Sequence, residues 1–204
     1  MDTTSCVEHR VAFREIVIPF AYVLVDSKLE GVYEEIFETL LKDINIDGAK
    51  FQLPKIVSLD FEQGLINAVR SILKPMQLIG CFFHYSQALW RKANEMKLRK
   101  LPVKLLTIEL ITSMQFLCFV NKNEIHNLWL ELKETYKGFP EFNEFMDYYE
   151  VNWLTMDRIE MWNYHDLIYK NELEMLQFEI TNNYLESFNN QILIQNFNVI
   201  LIYK

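Results

Sequence analysis

The stretch Lys55-Ile-Val-Ser-Leu-Asp60-Phe-Glu62 decides how the rest of the chain is interpreted. Residues 56–59 are mostly apolar and predict a short strand that ends on the acid Asp60. Apolar residues then recur at three- and four-residue steps from Phe61 to Ile72, which predicts a helix. In open α/β folds a carboxylate at the end of a strand faces the working crevice, where it can hold a metal ion or activate a water. Asp60 can equally cap the following helix, because Asp is a favoured N-cap residue.

Strands and helices alternate on both sides of this stretch. Residues 15–26 are rich in β-branched and aromatic side chains and predict an earlier strand. Residues 29–44 carry one apolar stripe and predict an amphipathic helix. Residues 77–84 predict a third strand, and a helix follows it from about residue 84 or 86 to residue 100. This alternation is the pattern of a parallel α/β unit.

The character of the chain changes after Pro102. Residues 103–120 predict a buried helix, residues 124–136 predict a second helix, and a third opens at Pro140. The segment from about residue 103 to residue 175 is therefore predicted to be all-helical. Further along, Thr181 is a plausible N-cap for a helix that carries Glu186.

Composition places the chain among globular, intracellular proteins. It has 204 residues, of which 50% are hydrophobic, enough for a substantial core. Its three cysteines, Cys6, Cys81 and Cys118, cannot all pair, which favours a reducing compartment. The first residues lack the apolar run of a secretory signal, and the most apolar run, residues 105–120, is too short and too polar to cross a membrane. We expect a nuclear or cytoplasmic protein without a membrane partner.

Charge is distributed unevenly along the sequence. The formal net charge is −8, which argues against nucleic-acid binding over the whole surface. Residues 91–104 nevertheless hold six bases and one acid, whereas residues 141–179 hold ten acids and two bases. The basic segment is either a solvated helix face or a surface that contacts phosphate. Its candidate DNA-binding residues are Arg91, Lys92, Lys97, Arg99 and Lys100.

Cys81 and His84 form a Cys-x-x-His pair, which is half of a zinc site. A closed zinc site needs four ligands, and Cys118, His126 and His165 are the available partners. Nothing in the spacing of these three residues selects them. The alternative is a buried strand cysteine followed by a histidine at a helix start.

Three ordered motifs together resemble the transposase domain of Mutator-like elements. They are LDFEQGLINAV around Asp60, GCFFHYSQALWRK around Cys81 and His84, and TNNYLESFN around Glu186. The segment FAYVLVDSKLEGVYEEIFETLL also resembles the strand and helix that precede the second acid of that family. The likeness covers roughly residues 15–190, and it rests on the combination of motifs rather than on any one of them.

The resemblance implies an α/β fold of the ribonuclease H type, a mixed sheet flanked by helices, with an all-helical insertion. The expected parts are a truncated core at residues 1–102, the insertion at residues 103–178, and a C-terminal segment at residues 179–204 that returns a helix to the core and ends in an apolar tail. In that family three acids hold two Mg²⁺ or Mn²⁺ ions, which clamp the attacking and leaving oxygens of a phosphodiester. Asp60 corresponds to the second acid and Glu186 to the last.

The sequence departs from the family at the first acid. That acid lies on an earlier strand, in a motif like Asp-Gly-Thr-Phe, which these 204 residues lack. The resemblance therefore implies a protein related to DNA cut-and-paste transposition but catalytically incomplete, with transposon-end DNA and further copies of itself as partners and no small-molecule substrate. The alternatives are a non-catalytic DNA- or protein-binding fragment, and a structural domain with a Cys/His zinc site.

Overall fold

The fold is known from a computed structural model, which describes residues 23, 25, 27–44, 53, 56–75, 77–100 and 102–169. This part of the chain is mostly helical and contains one small parallel sheet. Its elements, in order, are α1 (Glu30–Ile44), β1 (Ile56–Leu59), α2 (Gln63–Ala68), β2 (Gln77–Gly80), α3 (Phe82–Glu95), α4 (Lys104–Phe116), α5 (Lys122–Tyr136), α6 (Asn143–Trp153), α7 (Met156–Trp162) and α8 (His165–Tyr169). A π-helical turn, Val69–Leu73, continues α2, and two short 3₁₀ turns, Leu117–Phe119 and Pro140–Phe142, precede α5 and α6.

The predicted parallel α/β pairing is confirmed for β1 and β2. The two strands run parallel, and the register pairs Leu59 with Gly80. The backbone N–H of Cys81 extends the ladder by donating to the Leu59 carbonyl at 2.8 Å. The carboxyl ends of both strands therefore meet at one edge of the sheet. The predicted strand at residues 15–26 lies outside the described residues, except for residues 23 and 25.

The third predicted strand and its helix need a correction. β2 ends at Gly80, and α3 begins at Phe82 rather than at residue 84 or 86, with Cys81 as its N-cap. The apolar residues after Gly80 belong to a helical stripe, because Tyr85, Leu89 and Ala93 are buried at four-residue steps. At the other end α3 stops at Glu95 rather than near residue 100, since Lys97 adopts a left-handed φ of 61°.

The predicted helical segment is confirmed as far as it is described. α4, α5 and α6 begin within two or three residues of the predicted positions. α4 is only partly buried, however: Leu110, Ile111 and Met114 lie in the core, whereas Leu105 and Phe116 are exposed. Within the described ranges, no helix is both long enough and apolar enough to cross a bilayer.

Two apolar clusters hold the described part together. The larger one joins α3 to the helices after it and contains Tyr85, Trp129 and Trp162. The smaller one joins α1, β1 and α2 and contains Tyr33. Helix α7 contributes to both, since Met161 lies in the smaller cluster and Trp162 in the larger one. This helix therefore ties the sheet region to the helical segment.

Candidate functional site

Asp60 is the first polar residue at the carboxyl edge of the sheet. Its Oδ1 accepts a hydrogen bond from the backbone N–H of Glu62 at 3.1 Å. This bond spans two residues and forms an Asx turn before α2, so the predicted role of Asp60 as the helix N-cap is wrong. The helix N-cap itself is Glu62. A carboxylate has about four acceptor positions, so the single bond is compatible with a second role as a metal ligand.

Glu62 is held by two residues that the sequence patterns did not single out. Lys28 Nζ lies 2.7 Å from one carboxylate oxygen, and the Tyr33 hydroxyl donates to the other. Burial and the bond to the Glu62 carboxylate raise the pKa of Tyr33 well above its ordinary value, so the phenol stays protonated as a donor. The sequence feature that could have indicated this contact is Tyr33, because it places a hydroxyl group within the apolar stripe of α1.

Phe61 anchors the turn that carries Asp60. A Cβ on Gly80 would lie 2.8 Å from one Phe61 ring carbon and closer to two others, so the ring packs directly on the Gly80 backbone. Trp153 meets the Phe61 ring edge-on at a centroid distance of 4.9 Å. The Arg158 guanidinium lies 5.8 Å from the ring centroid and donates to the Phe61 carbonyl at 3.4 Å. Residues of the helical segment thus fix the position of Asp60.

Cys81 directly follows β2, the strand that pairs with the one before Asp60, and His84 lies in the first turn of α3. Cys81 is fully buried at the N-cap of α3, and His84 lies one turn further on and is half-buried. The other proposed zinc ligands, Cys118, His126 and His165, are also described. Among the described residues, no group of three or more His, Cys, Asp or Glu side chains is arranged to hold a metal ion. Burial raises the pKa of the Cys118 thiol.

The second predicted metal ligand, Glu186, lies outside the described residues. The only part of the predicted divalent-ion site that can be placed is therefore Asp60 at the carboxyl edge. Glu62 lies two residues from Asp60, but its oxygens are engaged by Lys28 and Tyr33. The described donors do not by themselves fit a Mg²⁺ or Mn²⁺ ion, which takes six or so oxygen ligands and usually keeps several waters.

The predicted DNA-binding residues lie on the second half of α3 and in the turn after it. We call this the basic surface and define it as Arg91, Lys92, Lys97, Arg99 and Lys100. All of these except Lys92 are exposed. Arg91 donates to Gln87 at 2.7 Å, Lys92 lies 3.4 Å from Glu95, and the Arg99 guanidinium stacks over Trp90 at 5.5 Å. These contacts are local and weak, so the charges remain accessible to a partner.

Comparison with known proteins gives no match, whether to a family model, a curated protein or a solved structure. The motifs, the strand pairing and the distribution of charge are therefore the features that bear on function.

Proposed function

We propose that this chain is a transposase-like protein of the Mutator-like type that binds DNA through the basic surface. Its sheet is proposed to belong to a ribonuclease H-like core, with the helical segment as the insertion. The carboxyl edge descends from a metal-dependent site for phosphodiester cleavage and strand transfer. These 204 residues do not complete that site, so the proposed activity is binding rather than cleavage.

The parallel pairing of β1 and β2 is the observation that carries this proposal. The register of Leu59 with Gly80 makes Asp60 and Cys81 neighbours at one edge. Two of the three motifs behind the resemblance therefore meet in space, although about 20 residues separate them in the chain. Ligands of open α/β sheets bind outside the carboxyl ends of the strands, which is where these two motifs meet. The third motif carries Glu186, which we propose as the partner of Asp60.

The chemistry of the carboxyl edge supports binding over catalysis. Asp60 is the described acid in position to hold a divalent ion, and Glu62 is engaged by a lysine and a tyrosine. The sequence has no Asp-Gly-Thr-Phe motif to supply the first acid. A site that lacks one of three shared carboxylates loses much of its charge for two divalent cations.

The placement of the basic surface supports DNA as the partner. α3 starts at the carboxyl edge and has 14 residues, so its far end lies about 20 Å from Asp60. A duplex that lies along α3 would reach the basic surface about six base pairs from Asp60, at 3.4 Å per base pair. The bases also suit the negative end of the α3 dipole, which is the purely structural explanation for them.

Fluorescence anisotropy with a labelled duplex tests this proposal against a matched control. The double variant Arg91→Glu/Arg99→Glu reverses two charges on the basic surface. Lys42→Glu/Lys137→Glu makes the same change in net charge at two exposed lysines. Lys42 lies on α1 and pairs with Glu38, and Lys137 directly follows α5 and pairs with Glu134. We expect the first variant to bind DNA about 100-fold more weakly, whereas the control changes affinity by about threefold or less.

Two results would contradict the proposed function. Equal losses in both double variants would show that net charge, rather than the basic surface, governs binding. A wild-type chain that binds no DNA at low salt would favour the alternative of a protein-binding fragment. Where binding occurs, each Arg→Gln change on the basic surface should reduce the slope of log K against log salt by about one.

A further inference from the structure

A pocket of about 420 Å³ opens at the amino end of β2. Because β1 and β2 are parallel, this pocket lies at the opposite end of the sheet from Asp60. Arg70, Lys74 and Gln77 line it together with Glu160 and Met161. Its volume lies within the range of pockets for small ligands, about 300–1,000 Å³. The size and the polar lining make it a candidate binding site separate from the carboxyl edge.

The backbone at the wall of this pocket has an uncommon conformation. Helix α2 continues as the π-helical turn Val69–Leu73, and Lys74 ends that turn with a φ of 46°. π-helical turns are rare and occur frequently at functional sites. Glycine is the usual residue in the left-handed region at a helix end, and a lysine is strained there. The chain thus places a cation on the pocket wall at a position where glycine would be easier to accommodate.

The charges around the pocket leave a local excess of cations. Glu160 has its own partner, Lys122, at 2.6 Å. Arg70 lies 3.7 Å from Asp157, whose side chain is 82% exposed, so this ion pair contributes little. Burial lowers the pKa of Arg158, and repulsion from the neighbouring Arg70 guanidinium lowers it further, whereas Asp157 opposes the shift. An anion bound beside Arg70 would relieve that repulsion.

We infer that this pocket binds a phosphomonoester group, carried by a free nucleotide or by the end of a DNA strand, through Arg70, Lys74 and the Gln77 amide. A planar guanidinium matches two phosphate oxygens at once, and a lysine and an amide N–H₂ supply further donors to the third. The inference is independent of the proposed function, since neither the basic surface nor Asp60 takes part in it.

Isothermal titration with thymidine 5′-monophosphate tests the site, with thymidine as the ligand without phosphate. We expect the monophosphate to bind and thymidine to show no measurable binding. Arg70→Gln should weaken monophosphate binding about tenfold, because it removes a charge-assisted pair of hydrogen bonds. Lys42→Gln removes one positive charge at an exposed lysine on α1, outside the pocket and the basic surface, and should change the affinity by less than about twofold.

The variant Lys74→Gly separates a binding role from a structural one. Glycine adopts a φ of 46° without strain, so the melting temperature should rise by about 2–4 °C. The same variant lacks the ammonium group and should bind the monophosphate about tenfold more weakly. Higher stability with unchanged binding would overturn the assignment of Lys74.

The source of the phosphate is decided by a pair of short oligonucleotides that differ only in a 5′-phosphate. Tighter binding of the phosphorylated strand, lost in Arg70→Gln, would assign the pocket to a DNA end. Monophosphate binding without that difference would assign it to a free nucleotide. The inference is overturned if neither the monophosphate nor the phosphorylated strand binds in an Arg70-dependent way.

Discussion

The carboxyl edge of the sheet and the basic surface lie at opposite ends of α3 and use their charges differently. At the carboxyl edge, Glu62 bonds to Lys28 and Tyr33, and Asp60 bonds to the Glu62 backbone. On the basic surface, four of the five cations are exposed. The contacts of the five lie within α3 and the turn after it, except that Lys92 Nζ also lies 5.1 Å from the centroid of the Tyr148 ring on α6. Charges that are satisfied internally build the fold, whereas exposed charges are available to a partner. The difference favours a structural role for the first region, and it is the basis of the binding role that we propose for the second.

The packing of Phe61 on Gly80 gives the strongest test of the carboxyl edge. We expect Gly80→Ala to lower the free energy of unfolding by about 2–3 kcal/mol, because the new methyl group overlaps a ring that Trp153 also holds. Urea unfolding followed by tryptophan fluorescence measures this loss. The turn that carries Asp60 would shift with the ring.

Gly31→Ala is the matched control for that substitution. A Cβ at Gly31 meets no atom within 4 Å, and the position lies in the first turn of α1. Alanine there should raise the free energy of unfolding by about 0.5–1 kcal/mol, since it reduces the freedom of the unfolded chain. Equal and small effects of both substitutions would show that Phe61 is not anchored on Gly80.

Neutralising one charge in each region gives a second test of the comparison. Glu62→Gln breaks the ion pair with Lys28 and weakens the bond from Tyr33, so it should lower the free energy of unfolding by about 1–2 kcal/mol. Arg91→Gln on the basic surface should change it by less than about 0.5 kcal/mol. If the two variants are equally stable, the contacts of Glu62 with Lys28 and Tyr33 add no more stability than the contacts of an exposed helix face.

Alkaline pH gives a smaller effect at the same contact. Burial and Glu62 raise the pKa of Tyr33 above 10.0, so the folded chain keeps a proton that the unfolded chain releases. The stability that this difference in pKa contributes is fully present below pH 10 and is lost as the pH rises above 10. Stability should fall less steeply above pH 10 in Tyr33→Phe than in the wild type, by up to about 1.4 kcal/mol per pH unit. Identical slopes would show that Tyr33 titrates alike in both states.

The sequence predicted the parts of the fold that depend on local periodicity. The short strand before Asp60, the helix over residues 29–44 and the helices after Pro102 all follow from apolar spacing within one element. The boundary at Gly80 did not, because Cys81-Phe82-Phe83 is apolar in either a strand or a helix. Contacts with the rest of the core decide where the strand ends, because a helix that begins at Phe82 places Tyr85 and Leu89 on its buried face.

Less of the candidate site than of the fold could be predicted from the sequence. Asp60 could be placed at the carboxyl edge, because it directly follows a predicted strand. Cys81 could not, because the predicted strand ran on to residue 84, whereas β2 ends at Gly80. The contacts of Lys28, Tyr33 and Arg158 could not be predicted either, because they link residues that are 29 to 97 positions apart. No local pattern encodes such pairings. The location of Glu186 relative to Asp60 stays a prediction.

Titration of Mg²⁺ or Mn²⁺ into the purified chain, with binding and nicking of a supercoiled plasmid measured together, tests the central claim most directly. Asp60→Ala and Glu186→Ala serve as paired variants, and duplex binding is measured in the same samples. The account predicts salt-sensitive DNA binding without metal-dependent cleavage. Efficient nicking by the wild type, lost in both variants, would contradict it by showing that these 204 residues complete the site.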